Sequence, residues 1–380
     1  MNKSILSILN FRDSKSRIGN YFLKVCFIFI VFVAGIQIGF ANNADKDSLT
    51  FFKANNPNIQ YSGRIDFSNP LLPRFWAPGC YITVTFFGSN CVIVLNDEEL
   101  WGKNHNYLEV VVDDNKPLRI QTTGKINTIT VAKGLSNTAH TVVVCKNTEA
   151  NIGYLEMVGI KCKSLLPPKA KPARRMEFIG NSITCGTGSD ASVVPCGKGV
   201  WQDQHNAYMS YGPLTARTLQ AQWHLTAVSG IGLMHSCCNL PYTMPQVFDK
   251  VNLRDDSIEW NFNQYIPDVV TICLGQNDGV QDSALFCKNY ISFISTLRKH
   301  YPKATIICLT SPMADNDLVR VMKLNLLSIV SSVNNQGDHN VYSYFFAKRY
   351  NHGCDNHPDL AEHQEIATEL INYIKRIIKW

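Results

Sequence analysis

The chain has 380 residues, of which 45% are hydrophobic and 17% charged; this composition excludes a disordered chain and leaves room for two globular domains. Its net charge is +6, and residues 1–41 carry +4 of it, since five basic residues there face a single acid. The net charge of +2 on the rest of the chain is too small to indicate a nucleic-acid-binding protein.

Residues 1–41 have the organisation of a signal peptide. A basic leader precedes an apolar run at 25–40, and Gly39-Phe40-Ala41 supplies the small residues expected before a cleavage site. The apolar run also approaches the roughly 17 residues that span a bilayer, so an uncleaved amino-terminal anchor is the alternative. Both alternatives predict a protein exported to the periplasm, the cell surface or the medium, with no further membrane segment.

The thirteen cysteines include no C-x-x-C pair, which argues against a structural zinc site. If disulfides form after export, Cys185 and Cys196 are the candidate pair, because they flank one short loop. Other cysteines lie inside apolar, strand-like runs, where a thiol behaves as a small hydrophobic group. These are Cys91, Cys145, Cys273 and Cys308.

Residues 45–165 are predicted to form an all-β domain. Apolar runs with strand character recur at short intervals, separated by polar turns, and no helical pattern interrupts them. Such spacing is typical of a β-sandwich or jelly roll. The runs are residues 81–86, 91–95, 108–112, 126–131, 141–145 and 155–160.

Residues 166–175 contain three prolines and several basic residues, as expected for a stiff linker between domains. In residues 176–380, apolar strands alternate with amphipathic stretches, which predicts a parallel sheet covered by helices on both faces. The predicted strands are 176–179, 225–228, 269–274 and 305–309. The predicted helices are 207–222, 283–300, 315–333 and 360–378.

Reactive groups in such a fold gather at the carboxyl ends of the strands. Ser182 follows the first strand on a Gly-Asn-Ser turn, Gly230 follows the second, and Asn277 follows the third. Alone, Ser182 is better explained as a helix cap and Gly230 as a turn residue, and Asn277 can also be a loop amide. Together they supply a nucleophile and donors for an oxyanion.

The sequence Asp355-Asn356-His357-Pro358 precedes the last predicted helix. A histidine next to a carboxylate and a rigid proline has the properties of a general base. In combination with the three strand-end residues, His357 therefore indicates a serine hydrolase.

Three other chemistries fit the sequence less well. A metal site could recruit His352, His357, His363 and Asp355, but the spacing does not place the histidines on one helical face. The glycine-rich stretch after Gly180 lacks the Gly-Lys-Ser/Thr of a phosphate loop. An α/β-hydrolase would need G-x-S-x-G and a distant acid, and neither is present.

At these four positions the chain resembles the SGNH hydrolase superfamily, through Ser182, Gly230, Asn277 and His357 in that order. More closely, it resembles carbohydrate esterase family 2, in which a jelly roll precedes a three-layer α/β/α SGNH domain. The segments that carry this second resemblance are Arg64-Ile-Asp66, 73–79, 211–217, 228–233 and 267–275.

The resemblance implies an acetyl esterase acting on plant polysaccharides such as xylan and glucomannan, with no metal or organic cofactor. Ser182 would be the nucleophile and His357 the base, and the backbone N–H groups of Ser182 and Gly230 with the Asn277 amide would form the oxyanion hole. The expected partner is an acetylated oligo- or polysaccharide, and no nucleic acid. A lipase or thioesterase on the same scaffold, and a non-catalytic carbohydrate-binding protein, are the alternative functions.

The sequence leaves two alternatives for the role of each of two residues, Asp355 and Trp201. Many SGNH enzymes have an aspartate three residues before the histidine, where this chain has Cys354, so His357 is oriented either by Asp355 or by a backbone carbonyl. Trp201, close behind the nucleophile turn, is the best candidate among the tryptophans for stacking on a sugar, against core packing as the alternative.

Overall fold

The structure is a computed structural model that describes residues 48–102, 104–254 and 258–380. The predicted signal peptide or anchor, residues 1–41, lies outside the described residues. Within the described ranges, no helix combines the length and the apolar character that crossing a bilayer requires.

The first part of the described chain consists of ten antiparallel strands, as the spacing of its apolar runs predicts. Two of those runs, 81–86 and 91–95, are halves of one long strand. Its first half pairs with the second and ninth strands, and its second half pairs with the eighth. The strands are β1 Thr50–Lys53, β2 Ile59–Ser62, β3 Ile65–Asp66, β4 Arg74–Phe75, β5 Tyr81–Asp97, β6 Tyr107–Val112, β7 Leu118–Gln121, β8 Ile126–Ala132, β9 Ala139–Lys146 and β10 Leu155–Leu166.

The second part is a five-stranded parallel sheet with helices, in the strand order β12-β11-β13-β14-β15. All four predicted strands and all four predicted helices are present. The edge strand β15 was not predicted, because its four residues, Val-Tyr-Ser-Tyr, do not form an apolar run. The elements are β11 Arg174–Gly180, α1 Ser182–Cys185, α2 Tyr211–Thr218, β12 Ala221–Ala227, α3 Met244–Val247, β13 Val269–Cys273, α4 Ser283–His300, β14 Thr305–Leu309, α5 Asn316–Asn335, β15 Val341–Tyr344 and α6 Leu360–Ile377.

The parallel sheet carries helices on both faces because its strands are apolar on both sides. Successive side chains of a strand point to opposite faces. On β11, Phe178 belongs to a buried cluster with residues of α2 and α6, whereas Ile179 belongs to a cluster with residues of α4 and α5. The three-layer α/β/α architecture expected from the sequence is therefore confirmed.

The two sheets are joined by the predicted linker, which connects β10 to β11. The linker contacts the first sheet, since the Gln60 amide donates to the Lys169 carbonyl at 2.9 Å and the Lys171 amine donates to the Tyr61 carbonyl. The described residues belong to one compact unit. The carboxyl ends of β11, β12 and β13 meet at one edge of the parallel sheet, which is where the polar strand-end residues lie.

Candidate active site

Ser182 is the first residue of α1, directly after the turn that ends β11. The Asn181 side chain accepts a hydrogen bond from the Ile183 N–H at 3.2 Å and so caps the helix. Gly180 has no room for a side chain, because a Cβ there would overlap the Thr184 hydroxyl. These constraints hold Ser182 at the strand-to-helix corner, with its side chain at the wall of a cavity.

His357 faces Ser182 across 175 residues of sequence, with its Nε2 atom 2.8 Å from the Ser182 Oγ atom. It follows the single 3₁₀ turn Cys354–Asn356 and precedes α6. That turn is tied to the loop after α1 by a hydrogen bond from the Cys354 N–H to the Gly188 carbonyl at 2.8 Å. The serine and the histidine, predicted separately, are therefore brought into direct contact.

The other ring nitrogen of His357, Nδ1, lies 3.3 Å from the carbonyl oxygen of Cys354. A carbonyl only accepts hydrogen bonds, so this contact assigns the hydrogen to Nδ1 and leaves Nε2 free to accept from the Ser182 hydroxyl. Asp355, by contrast, is exposed and adopts a left-handed backbone with φ of 53°. The position at Nδ1 that an orienting acid would take is therefore occupied by the Cys354 carbonyl.

Burial is the main influence on the titration of His357. It lowers the pKa of the imidazole below its ordinary value of 6.5, while the hydrogen bond to the Cys354 carbonyl and the nearby charge of Asp355 act in the opposite direction. The net lowering keeps the ring neutral around pH 7, and a neutral ring is required of a general base.

Gly230 lies in the turn that follows β12. Its φ of 81° is a left-handed conformation that a side chain would strain, which explains why glycine occupies this position. The Cys237 N–H donates to the Gly230 carbonyl at 2.8 Å, and the Ser229 and Thr187 hydroxyls are 2.8 Å apart. These bonds fix the backbone of the turn beside Ser182.

Asn277 is held at the same edge by the loop after β13. Its amide nitrogen donates to the Ile231 carbonyl at 2.8 Å, and the second hydrogen of this amide is left for another acceptor. The neighbouring Asp278 carboxylate accepts from the N–H groups of Leu233, Met234 and His235 at 2.6 to 3.0 Å. The loops after β12 and β13 are thereby locked together.

These residues surround a cavity of about 360 Å³ that is open to solvent. Trp201 is in its wall, is 44% exposed and packs edge-on against His205 with the ring centres 4.3 Å apart. Asp203 anchors the Trp201 segment to the first sheet, because its carboxylate accepts from the Tyr107 hydroxyl at 2.9 Å. The lining residues are Glu149, Asn151, Ser182, Trp201, Ser229, Gly230, Cys237, Cys238, Leu240, Gln276, Asn277, Met313 and His357.

The cysteines differ in one respect from the sequence prediction. Cys196 is bonded to Cys354, 158 residues away, and Cys185 is a buried free thiol, so the pair Cys185/Cys196 was wrong. Closeness in sequence misled here, because α1 directs Cys185 into the interior. The adjacent Cys237 and Cys238 form a second disulfide. The four strand cysteines predicted to be buried thiols are confirmed as such.

The histidines considered as metal ligands have separate partners. His352 contacts the Glu362 carboxylate, and the buried His363 accepts from the Tyr211 N–H at 3.2 Å. Among the described residues, no group of three or more His, Cys, Asp or Glu side chains is placed to hold a metal ion. Of the other tryptophans, Trp76 and Trp223 pack in the core, whereas Trp101 is 81% exposed.

Two elements of this site are missing from the sequence prediction. Glu149, from the turn after β9, reaches the cavity wall from the first sheet. The vicinal pair Cys237-Cys238 lines the same cavity and could have been noticed as adjacent cysteines. No comparable pattern marks Glu149, because the sequence Lys146-Asn-Thr-Glu149 is typical of an exposed polar turn. In the structure all four residues are fully buried.

Comparison with known proteins adds two family matches. The family described as carbohydrate esterase 2 N-terminal matches residues 61–169, and the GDSL-like lipase/acylhydrolase family matches residues 178–336. The two matches fall on the antiparallel and the parallel sheet respectively.

Individual relatives match across both regions. A cellulase/esterase, CelE, of Acetivibrio thermocellus is 32% identical over 86% of this chain, and the chain spans only 40% of that relative's length. An acetylxylan esterase/glucomannan deacetylase of Cellvibrio japonicus is 27% identical, over 95% of this chain and 97% of the relative. The solved structure of a family two carbohydrate esterase from Clostridium thermocellum in complex with cellohexaose is 30% identical, with a TM-score of 0.78, over 85% of this chain and 99% of that one.

Proposed function

The chain belongs to carbohydrate esterase family 2, and from this premise we propose that it is an exported serine esterase that removes O-acetyl groups from carbohydrate. The observation that carries the proposal is the 2.8 Å contact between Ser182 Oγ and His357 Nε2 in the wall of an open cavity. The name of the Cellvibrio japonicus relative, acetylxylan esterase/glucomannan deacetylase, supports plant polysaccharide as the substrate class.

In the acylation step, the Ser182 Oγ atom attacks the carbonyl carbon of an acetyl ester while His357 Nε2 takes the hydroxyl proton. The negative charge that forms on the carbonyl oxygen is stabilised by the N–H groups of Ser182 and Gly230 and by the free amide hydrogen of Asn277. The C–O bond to the sugar then breaks, and the sugar oxygen leaves with the proton from His357. An acetyl group remains on Ser182.

In the deacylation step, His357 removes a proton from a water molecule, which attacks the acetyl carbon. The bond to Ser182 breaks, acetate leaves, and the serine regains its proton from His357. The Cys354 carbonyl keeps the hydrogen on Nδ1 throughout, as its 3.3 Å distance from that atom supports. We therefore propose a Ser–His dyad, without a direct role for Asp355.

The substrate class is tested by measuring the acid released from each ester, which is acetate from the glycans and a fatty acid from a long-chain acyl ester. Acetylated xylan, acetylated glucomannan and a long-chain acyl ester are incubated with the wild type and with Ser182→Ala. The proposal expects acetate from at least one glycan, little hydrolysis of the long-chain ester, and no release by Ser182→Ala. Preferred hydrolysis of the long-chain ester would point instead to a lipase, and a wild type inactive on all three would remove the enzymatic proposal.

Trp201 is proposed as a platform for the sugar, because its half-exposed indole lines the cavity. Trp201→Ala should raise KM for the acetylated glycan severalfold and leave hydrolysis of a small aryl acetate unchanged. Trp101→Ala is the matched control, since Trp101 is more exposed and does not line the cavity. An equal effect of both variants would argue against a specific role for Trp201.

Export is proposed from the layout of residues 1–41. Expression of the full chain in a bacterial host with an active secretory pathway should place the protein outside the cytoplasm, and amino-terminal sequencing would identify a cleavage site near Ala41. Retention of the full chain in the cytoplasm would contradict it.

A further inference from the structure

Glu149 lies in the turn after β9 of the first sheet, and its side chain reaches the candidate active site. It follows β9 and precedes the 3₁₀ turn Ala150–Ile152, and its side chain is fully buried. The Lys146 amine shapes the turn that presents it, donating to the carbonyls of Thr148 and Glu149 at 2.6 and 3.1 Å. The carboxyl group is thereby directed away from its own sheet and toward the strand ends of the other.

One oxygen of this carboxyl group contacts two segments of the site at once. Glu149 Oε2 accepts a hydrogen bond from the Ser229 N–H, and it also accepts from the Cys185 thiol at 3.4 Å. Ser229 immediately precedes Gly230, and Cys185 is the last residue of the helix that begins at Ser182. The same atom therefore bridges the turn with the proposed oxyanion donor and the helix with the proposed nucleophile.

The direction of the Gly230 N–H depends on the peptide unit between Ser229 and Gly230. The Glu149 contact fixes the preceding peptide unit through the Ser229 N–H, and the Cys237 N–H fixes the following one through the Gly230 carbonyl, so the unit between Ser229 and Gly230 is held from both sides. An oxyanion donor has to be in place before the charge forms, since its value to catalysis lies in preorganisation. A displacement of this turn would therefore lower kcat and leave KM nearly unchanged.

We infer that Glu149 is a positioning residue for the esterase reaction: its carboxyl group holds the Ser229–Gly230 turn against the nucleophile helix, so that the first sheet completes the oxyanion hole of the second. This inference rests on the proposed function. It also gives the amino-terminal sheet a part in the chemistry, beyond any contact with the glycan.

The contact requires an acceptor atom more than it requires a charge. Burial raises the pKa of Glu149, because a fully desolvated carboxylate loses its hydration. The other oxygen, Oε1, is buried without a hydrogen-bond partner among the described residues, and it can carry a proton while Oε2 still accepts. A glutamine retains one oxygen acceptor at the same reach, whereas an aspartate retains the charge but is shorter by one methylene.

The test is a comparison of kcat and KM on an acetylated substrate for three variants of the full chain. Glu149→Ala should lower kcat about 10²-fold, the effect typical of losing one oxyanion donor, with KM within about twofold of wild type. Glu149→Asp should lose nearly as much, because its carboxylate stops short of the Ser229 N–H. Glu149→Gln should stay within about fivefold of wild type.

Glu109→Ala is the matched control. Glu109 is also a buried carboxyl group of the first sheet, and it accepts from the Asn147 and Asn206 amides at 2.8 and 3.2 Å, away from the cavity lining. Glu109→Ala should lower the melting temperature about as much as Glu149→Ala does. The kcat of its folded fraction should stay within about threefold of the wild type. This comparison separates a loss of positioning from a general loss of stability.

Several results would overturn the inference. One is a Glu149→Ala variant that keeps its kcat, and another is a rise in KM alone, which would make Glu149 a substrate-binding group. A Glu149→Gln variant more impaired than Glu149→Asp would show that the charge matters and the acceptor position does not. If Glu149→Ala does not fold, the Gln and Asp pair still decides. A wild type that releases no acetate would instead contradict the proposed function itself.

Discussion

The carbonyl oxygen of Cys354 lies 3.3 Å from Nδ1 of His357, and the side chain of the same Cys354 is bonded to Cys196. The residue whose carbonyl contacts the imidazole is thus itself tied covalently to the loop that carries Trp201. Because the acceptor is a backbone atom, it bears no formal charge and cannot be protonated away in the working pH range. In the proposed Ser–His dyad, the orientation of the base then depends on the geometry of the turn.

Replacement of Asp355 tests this arrangement. If a backbone carbonyl orients His357, Asp355→Asn should lower kcat less than tenfold, because the Asp355 side chain is exposed and the Cys354 carbonyl occupies the position at Nδ1. An orienting acid in a triad would cost about 10⁴-fold on the same change. Steady-state kinetics with a small aryl acetate, together with a thermal melt to confirm folding, separates the two outcomes.

Loss of the Cys196–Cys354 disulfide should affect both stability and rate. The bond closes a loop of 158 residues, so Cys196→Ser/Cys354→Ser should destabilise the fold by about 2–4 kcal/mol. We also expect kcat to fall severalfold, because the turn bearing the Cys354 carbonyl loses its covalent tie. Urea denaturation and initial rates on protein purified under oxidising conditions provide both measurements.

The control for that experiment is Cys237→Ser/Cys238→Ser. This second disulfide joins adjacent residues and closes no loop, so its loss should leave the denaturation midpoint nearly unchanged. An equal destabilisation by the two double variants, or full kcat in the first one, would contradict the role assigned to the long-range bond.

The pH dependence follows from the lowered pKa of His357. The base works only when its ring is neutral, so kcat/KM should rise with pH as His357 loses its proton. Since burial lowers this pKa, the midpoint of the acid limb should lie below the ordinary value of 6.5, and the enzyme should keep more than half of its maximal kcat/KM at pH 6.5. A midpoint at pH 7 or above would show that a different group, or a charged neighbour, controls the base.

The proposed oxyanion role of Asn277 has its own kinetic signature. Asn277→Ala should lower kcat by about 10²–10³-fold with little change in KM, because the contact strengthens only as charge develops on the substrate oxygen. The amide also bonds to the Ile231 carbonyl, so the melting temperature should be recorded alongside. A raised KM at unchanged kcat would identify Asn277 as a ground-state binding residue.

Local periodicity was sufficient to predict four of the five strands of the parallel sheet and its four longer helices, and the topology of such sheets then placed Ser182, Gly230 and Asn277 at one edge. Long-range pairing was not predictable in this way. Cys196 is bonded to Cys354, 158 residues away, and no local pattern in the sequence favours Cys354 over the closer Cys185 as its partner. The continuous strand β5 was read as two strands, because Gly88-Ser-Asn90 resembles a turn.

The orienting carbonyl and Glu149 were hidden for different reasons. Every residue has a backbone carbonyl, so the one that contacts His357 leaves no mark in the sequence, although the missing aspartate at position 354 pointed toward it. Glu149 acts across the boundary between two sheets, and its burial arises only when they pack. Both depend on tertiary contacts that the order of residues does not display.

In the proposed mechanism, Ser182 carries the acetyl group during turnover. This role of Ser182 is tested most directly by rapid acid quenching of the enzyme during hydrolysis of an activated acetyl ester, followed by mass spectrometry of its peptides. We expect one acetyl group on the peptide that contains Ser182, and we expect Ser182→Ala to show neither this acetyl group nor acetate release. Full acetate release by Ser182→Ala, or an acetyl group trapped on a different residue of the wild type, would contradict it.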